Sequence, residues 1–176
     1  MKMIEQALAA HGRSSSASEL REHFDIFIAH YSAHISANSR PYPGVIDALT
    51  QFQSEGATLA VCTNKTEVHA RALLDELDMS KHFAALTGGN SLGVSKPNPK
   101  HLTGTVELAK GSPTRAIMIG DSETDIRTAQ AAGIPVIAVN CGDSVESVGT
   151  FAPDVIIGDY NELHQAISEL TAARAV

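Results

Sequence analysis

The sequence predicts an α/β protein with a doubly wound parallel sheet, and two features of the chain carry this prediction. From position 58 onward, short β-prone apolar runs alternate with stretches of helical period. Such alternation is typical of βαβ units, whose right-handed crossovers place helices on both faces of a parallel sheet. In addition, 176 residues with 43% hydrophobic content allow one domain with a real core, or one domain plus a small appendage.

Residues 1–40 are predicted to be helical, without a strand. A serine-rich stretch at 14–18 followed by Glu19 is typical of a helix start. Apolar residues then recur at spacings of three and four, as on one face of a helix: Leu20, Phe24, Phe27, Ile28, Tyr31 and Ile35. Pro-Tyr-Pro-Gly at 41–44 ends this segment, so we place a boundary at 40–44.

The remaining elements follow from the change of period and from turn residues. Pro43 suits a helix start, and Gly56 and Gly133 each end a helical stretch. Helices are predicted at 45–55, 67–77, 101–109, 125–132 and 162–173. Strands are predicted at 58–62, 83–86, 116–119, 135–139 and 155–157. A loop rich in Gly and Pro occupies 88–99.

Composition argues against several classes of function. The net charge of −7, with Lys and Arg scattered singly, is unlike a nucleic-acid-binding surface. The N-terminus lacks the apolar region of a secretory signal, and no apolar stretch approaches the roughly 20 residues that span a membrane. Cys62 and Cys141 are too few for a disulfide framework and are expected to be buried, reduced thiols. We therefore expect a soluble, cytoplasmic protein that binds neither nucleic acid nor membranes.

Thr63 and Asn64 directly follow the predicted strand 58–62 and precede a helix. Ligands of open α/β sheets bind outside the carboxyl ends of the strands. A hydroxyl and backbone N–H groups at that edge suit a phosphate oxygen, helped by the positive end of the helix. The alternative is an ordinary helix N-cap, since Thr and Asn are common caps.

Lys96 lies in the loop sequence Ser-Lys-Pro-Asn-Pro at 95–99. Pro97 and Pro99 restrict the backbone and could fix the direction of the lysine. An ammonium group placed near a phosphoryl group would offset the repulsion between that group and an attacking carboxylate. The alternative is a solvated loop lysine.

Asp121 and Asp125 form the strongest pattern in the chain. Asp121 stands where the buried strand 116–119 ends, and Asp125 falls on the first turn of the next helix, so both carboxylates can face one point. Two close carboxylates are costly unless they share a cation, and Mg²⁺ prefers oxygen ligands. The alternative is a pair of acids that cap the helix.

A strand-end hydroxyl, a loop lysine and a carboxylate pair, in this order, resemble motifs two, three and four of the haloacid dehalogenase-superfamily phosphatases. Four stretches look like phosphoglycolate phosphatases in particular: RPYPGV at 40–45, AVCTNKTE at 60–67, KPNPKHL at 96–102 and IMIGDSETDIRTAQAAGIPVIAV at 117–139. The resemblance covers residues 20–165. It implies a haloacid dehalogenase-like Rossmannoid fold, with 1–40 as the remnant of a helical cap domain and 41–176 as the α/β hydrolase core.

The resemblance also implies a mechanism and roles. In the family an Asp attacks phosphorus to form an aspartyl-phosphate, and a second Asp two residues on is the general acid and base. Asp121 would then ligate Mg²⁺ directly, and Asp125 would be a second acidic contact to the metal or its waters. Thr63 and Asn64 would hold the phosphoryl group, and Lys96 would neutralise its charge.

One family motif is absent: no Asp-x-Asp occurs anywhere in the 176 residues. In the family this motif ends the central strand of the sheet. We therefore expect the α/β core to lack its first strand, with a gap between strands 58–62 and 116–119. A fragment of this kind would be inactive alone and marginally stable, or would associate through its exposed sheet edges.

The sequence thus favours an N-terminally truncated, Mg²⁺-dependent phosphomonoester hydrolase acting on a small phosphorylated metabolite such as 2-phosphoglycolate. Two alternatives stay open. One is a relative with the same fold, such as a phosphosugar mutase or a dehalogenase. The other is a non-catalytic module that binds phosphate or a partner, which the missing nucleophile supports.

Overall fold

The computed structural model describes residues 2–140 and 148–174 of the chain. It divides into two compact units, Met1–Ser39 and Arg40–Val176. Cys141, which was predicted to be buried, lies outside the described residues.

The first unit is helical. Helix α1 spans Lys2–Ala10 and helix α2 spans Ala17–Ala33. The predicted helix start is present as a full capping box: the Ser16 side chain accepts from the Glu19 N–H, and the Glu19 carboxylate accepts from the Ser16 N–H.

The second unit alternates strands and helices along the chain. Its helices are α3 Val45–Ser54, α4 Glu67–Glu76, α5 Pro99–Leu108, α6 Glu123–Ala132 and α7 Leu163–Arg174. Its strands are β1 Ala60–Cys62, β2 Ala85–Thr87, β3 Met118–Gly120, β4 Val136–Val139 and β5 Val155–Ile157. No described helix is both long and apolar enough to cross a membrane.

The strands form two parallel sheets. Strand β1 pairs with β2, with Val61 opposite Leu86. Strand β4 lies between β3 and β5, with Ile137 opposite both Ile119 and Val155. Within the described residues β1 and β3 do not pair with each other. The parallel α/β class predicted from the sequence is confirmed, and the described strands form two separate sheets, β1–β2 and β3–β4–β5.

Alternate side chains of β4 pack into two different hydrophobic cores. Val136 and Ala138 join the core formed with α5 and α6. Ile137 and Val139 join the core formed with α3, β5 and α7. All four are at most 1% exposed. The three-stranded sheet is therefore covered by helices on both faces, as a doubly wound arrangement requires.

Several elements begin or end at residues other than those predicted. The strand predicted at 116–119 is Met118–Gly120, and a short 3₁₀ turn at Pro113–Arg115 precedes it. Helix α5 begins at Pro99 rather than 101, with the Asn98 side chain capping the N–H of Lys100. Proline suits this first position because its missing N–H would have no partner there.

Candidate active site

The predicted site residues lie at the carboxyl ends of β1 and β3 and in one long loop. Thr63 and Asn64 follow β1, and Asp121 follows β3. Lys96 belongs to the loop between β2 and α5, and Asp125 is the third residue of α6. This edge is where open parallel sheets bind their ligands.

Lys96 and Asp125 form a buried ion pair. Lys96 Nζ lies 2.5 Å from Asp125 Oδ1, and the two side chains are only 9% and 7% exposed. Lys96 is therefore not a solvated loop lysine. A buried charge needs such a partner, since desolvation of an isolated ion costs far more than folding can offset.

The second oxygen of the Asp125 carboxylate is also occupied. Asp125 Oδ2 accepts from Ser122 Oγ at 2.7 Å and from the Asp121 N–H at 3.3 Å. Burial favours the protonated form of Asp125, but the Lys96 charge, its hydrogen bond and these two donors outweigh burial. They hold the pKa of Asp125 below its ordinary value of 3.8.

Ser122 has a role that the sequence did not reveal. It is the N-cap of α6, since its hydroxyl accepts from the Asp125 N–H at 3.3 Å, and it donates back to the Asp125 carboxylate. The N-cap residue is Ser122 and neither aspartate, but the Asp125 carboxylate takes part in the cap by accepting from the Ser122 hydroxyl. A serine three residues before an acidic residue is a capping signal that could have indicated this.

Gly120 allows helix α6 to approach the end of β3. A Cβ atom at Gly120 would lie 2.4 Å from Asp125 Cβ and 2.7 Å from its Cγ. Those distances are not sterically permitted, so the position of the Asp125 carboxylate depends on the absence of a side chain at Gly120.

Asn64 spans from the β1 loop to the Lys96 loop. Its Nδ2 donates to the Lys96 carbonyl at 3.0 Å, and its Oδ1 accepts from the Lys96 N–H at 2.9 Å. The carboxamide thus pairs with both backbone groups of Lys96, although Asn64 itself is exposed.

Thr63 is half-buried next to this contact. Its N–H donates to the Thr87 carbonyl at 3.0 Å, which continues the β1–β2 pairing, and its Oγ1 accepts from the Lys65 N–H at 3.2 Å. Helix α4 begins at Glu67 with Thr66 as its N-cap. Neither Thr63 nor Asn64 caps this helix, so the alternative that treats them as ordinary caps does not hold.

The loop after β2 encloses the start of α4. The Asn90 side chain accepts from the Glu67 N–H at 2.9 Å, and Ser91 Oγ donates to the Glu67 carboxylate. A Cβ atom at Gly88 would lie 2.2 Å from the Glu67 nitrogen, and one at Gly89 would lie 2.7 Å from the Asn64 carbonyl oxygen. The two glycines therefore let the loops after β1 and β2 pack backbone against backbone.

Asp121 is exposed, and its carboxylate has no hydrogen bond or ion pair with the described residues. It could serve as a hard oxygen ligand for Mg²⁺. Asp125 is less suited to direct ligation, because both of its oxygens already accept from donors and one of them contacts an ammonium group. Over residues 2–140 and 148–174, no three His, Cys, Asp or Glu side chains cluster as a ready metal site.

Polar side chains also lie beneath the site. Thr87 and Thr105 are buried and hydrogen-bonded through their hydroxyls at 2.5 Å. Cys62 is a free thiol, as expected, but it is half-buried rather than buried, and its burial raises its pKa. His101 is fully buried, and neither ring nitrogen has a hydrogen-bond partner within the described structure. Burial, and then the charge of Lys96, hold the pKa of His101 below 6.5.

Comparison with known proteins shows the family of the chain. Residues 2–139 match the haloacid dehalogenase-like hydrolase family model. The chain is 45% identical over 167 residues to a phosphoglycolate phosphatase of Mesorhizobium japonicum, covering 95% of this chain and 74% of that protein. It is 40% identical to a phosphoglycolate phosphatase of Agrobacterium fabrum, with 95% and 72% covered.

A solved structure extends the comparison to the fold. The crystal structure of a predicted phosphoglycolate phosphatase from Haemophilus somnus aligns with a TM-score of 0.86 and 26% identity, covering 93% of this chain and 73% of the other. The family model spans most of the chain, and the two curated relatives cover nearly all of it. This chain therefore belongs to the haloacid dehalogenase-like hydrolase family.

Proposed function

We propose that this chain carries the phosphoryl-binding side of a Mg²⁺-dependent phosphomonoesterase site of the phosphoglycolate phosphatase type. The observation that carries the proposal is the buried Lys96–Asp125 ion pair at the carboxyl edge of the sheets. A fixed ammonium group at that edge stabilises negative charge as it develops during phosphoryl transfer. The similarity to phosphoglycolate phosphatases supports the same class of substrate.

The roles of the residues follow from their contacts. Lys96 presents a positive charge whose direction Asp125 fixes, and it would neutralise an oxygen of the phosphoryl group. The Thr63 hydroxyl accepts from a backbone N–H, so its own hydrogen remains to be donated to a second phosphoryl oxygen. Asn64 would hold the phosphoryl group with the remaining N–H of its carboxamide, since one N–H and one lone pair are bonded to the Lys96 backbone.

Mg²⁺ would be held mainly by Asp121, whose carboxylate is exposed. Asp125 would contribute through the water shell of the ion, because its own oxygens are taken by Lys96, Ser122 and the Asp121 N–H. When bound, the metal would supply charge neutralisation and polarisation at the phosphoryl oxygens. One carboxylate is a weak site for an ion that gives up its water reluctantly, so substrate phosphate would be needed for firm binding.

The 176 residues on their own are proposed to be inactive. The family mechanism needs a carboxylate nucleophile with an acid and base two residues later, and no Asp-x-Asp occurs in the sequence. The unpaired edges of β1 and β3 would accept a strand that brings this motif, or would pair with another chain. We propose that 1–40 corresponds to part of the helical cap that selects the leaving group in this family.

One alternative keeps specific support. The absence of Asp-x-Asp fits a module that binds a phosphorylated ligand or partner without turning it over. Such a module would use the same Lys96 and Thr63 donors, so phosphate binding alone does not separate the two functions.

Phosphatase assays of the chain with and without an added nucleophile strand distinguish the phosphatase from the binding module. The chain as it stands should not hydrolyse p-nitrophenyl phosphate or 2-phosphoglycolate with Mg²⁺. A chimera that adds an Asp-x-Asp strand from a phosphoglycolate phosphatase should show turnover within the usual enzyme range of about 1 s⁻¹ or more. A well-folded chimera that binds Mg²⁺ but hydrolyses no phosphate monoester would refute the phosphatase proposal and favour the binding module.

A further inference from the structure

We infer that Asn64 is a positioning residue for Lys96: its carboxamide holds the backbone of the Lys96 loop so that the Lys96 ammonium reaches Asp125. The catalytic meaning of this inference rests on the proposed phosphatase function, but the contact itself does not. It differs from the expectation that the Asn64 side chain holds the phosphoryl group.

The Asn64 carboxamide is bonded to the Lys96 backbone at both ends. Its oxygen accepts from the Lys96 N–H at 2.9 Å and its nitrogen donates to the Lys96 carbonyl at 3.0 Å, which leaves one lone pair and one N–H of the carboxamide for other partners. The two bonds fix both the position and the rotation of the Lys96 peptide groups.

The support behind Asn64 is rigid. The Thr63 N–H is bonded to Thr87, and the Gly89 N–H donates to the Lys65 carbonyl at 2.9 Å. The Asn64 carbonyl also packs so closely on Gly89 that a methyl group there would not fit. The asparagine therefore projects from a fixed loop, and it can transmit that position to the Lys96 loop 32 residues away in sequence.

The contact also joins the two sheets. Asn64 follows β1 of the two-stranded sheet, while Asp125 is on α6 behind β3 of the three-stranded sheet. Lys96 is bonded to Asn64 through its backbone and to Asp125 through its side chain. Because β1 and β3 share no backbone hydrogen bonds in the described structure, this chain of contacts is a polar link between the two halves of the site.

The test measures the accessibility of Lys96 in the phosphate-free chain. Lysines are acetylated with an amine-reactive reagent in limiting amount, and peptide mass spectrometry gives a rate for each one. In the wild type, Lys96 should react far more slowly than Lys81 and Lys110, because its side chain is buried and paired. In Asn64→Ala, the Lys96 rate should rise by about threefold or more with the reference lysines unchanged. A threefold rise corresponds to about the net free energy that one hydrogen bond contributes. A smaller rise would overturn the inference.

A matched control comes from the same loop. Asn98→Ala removes an asparagine whose side chain caps α5 through the Lys100 N–H rather than bonding to Lys96, so the Lys96 rate should stay near the wild-type value. An equal rise in Asn98→Ala would mean that any damage to the loop exposes Lys96, and that also overturns the inference. If Asn64→Ala unfolds, every lysine will react faster. Asn64→Asp then replaces it: this variant keeps the acceptor for the Lys96 N–H and loses the donor, and an unchanged Lys96 rate overturns the inference.

Inorganic phosphate separates this result from the proposed function. Its binding is followed by NMR titration of the wild type and of Asn64→Ala. If Asn64 acted only by touching the phosphoryl group, Asn64→Ala would weaken phosphate binding while leaving Lys96 acetylation unchanged, which contradicts positioning. If the wild type binds no phosphate but Asn64→Ala still exposes Lys96, the proposed function fails and the positioning role stands.

Discussion

Replacing Lys96 by methionine is the sharpest test of the site, because it leaves a buried carboxylate without its cation. Asp125 is 7% exposed at the side chain, and Lys96 Nζ is its only charged partner in the described structure. Removing one member of a buried ion pair costs about 3–5 kcal/mol. Ser122 and the Asp121 N–H still donate to the carboxylate in the variant, so we expect the lower end, about 3 kcal/mol.

The measurement is urea unfolding followed by far-UV circular dichroism, since the chain has no tryptophan. Glu123→Gln is the control on the same helix. It removes the Glu123–Arg127 pair, whose side chains are 55% and 54% exposed, and exposed pairs of this spacing contribute about 0.3–0.5 kcal/mol. Lys96→Met combined with Asp125→Asn should cost less than the sum of the two single changes, by about 1–3 kcal/mol.

The stabilisation by the Lys96–Asp125 pair also depends on pH. The folded-state pKa of Asp125 is below 3.8, so the ionised carboxylate contributes fully to the free energy of unfolding above pH 3.8. This contribution is lost as the pH falls through the folded-state pKa. In Lys96→Met the ammonium group is gone, so burial raises the pKa of Asp125. The difference in the free energy of unfolding between wild type and variant should therefore begin to shrink at a pH above the folded-state pKa of Asp125 in the wild type. A cost below about 1 kcal/mol at neutral pH, as for a surface pair, would refute the buried ion pair.

Three further predictions concern the residues around this pair. Asp121→Asn should abolish the weak binding of Mn²⁺ measured by water relaxation, whereas Glu123→Gln should leave it intact; equal binding in both variants would remove Asp121 from the metal site. Gly120→Ala should lower the free energy of unfolding by about 1–3 kcal/mol through overpacking against Asp125. Gly158→Ala is the control, because a Cβ atom at Gly158 would have its nearest neighbour 3.6 Å away, and it should change the free energy of unfolding little. A similar loss of stability in both variants would show that helix α6 does not approach Gly120 closely. Because the pKa of His101 is lowered in the folded state, wild-type stability should fall as pH drops below 6.5, where the unfolded chain takes up the proton first. His101→Leu should weaken this dependence, and identical pH profiles would contradict it.

The order and type of the elements could be predicted from the sequence because the local signals agree with the tertiary structure. Helix α2 begins where its capping box predicts, and α6 ends at Gly133, which adopts positive φ. The parallel class followed from the alternation of strands and helices, which reflects burial of the sheet on both faces.

The sequence indicated the candidate site residues by their type and position, but not the residues to which they are hydrogen-bonded. The Asn64–Lys96 contact joins residues 32 positions apart, and nothing local marks the asparagine as a support rather than a ligand-binding group. Gly88, Gly89 and Gly120 matter because another backbone or side chain approaches them, and such close approach depends on packing that sequence patterns do not reveal.

The burial of β4 implies that the strands of the α/β unit differ in how readily they open locally. This strand is paired on both sides and covered on both faces, whereas β1 is paired with β2 alone. Amide protons exchange with solvent through local openings, which are rarest where contacts are densest. Exchange should be slowest along Val136–Val139 and faster along Ala60–Cys62. Strand β1, beside Thr63, should therefore open more readily than β4, so an arriving strand could pair with β1 while β4 keeps its half of the unit folded.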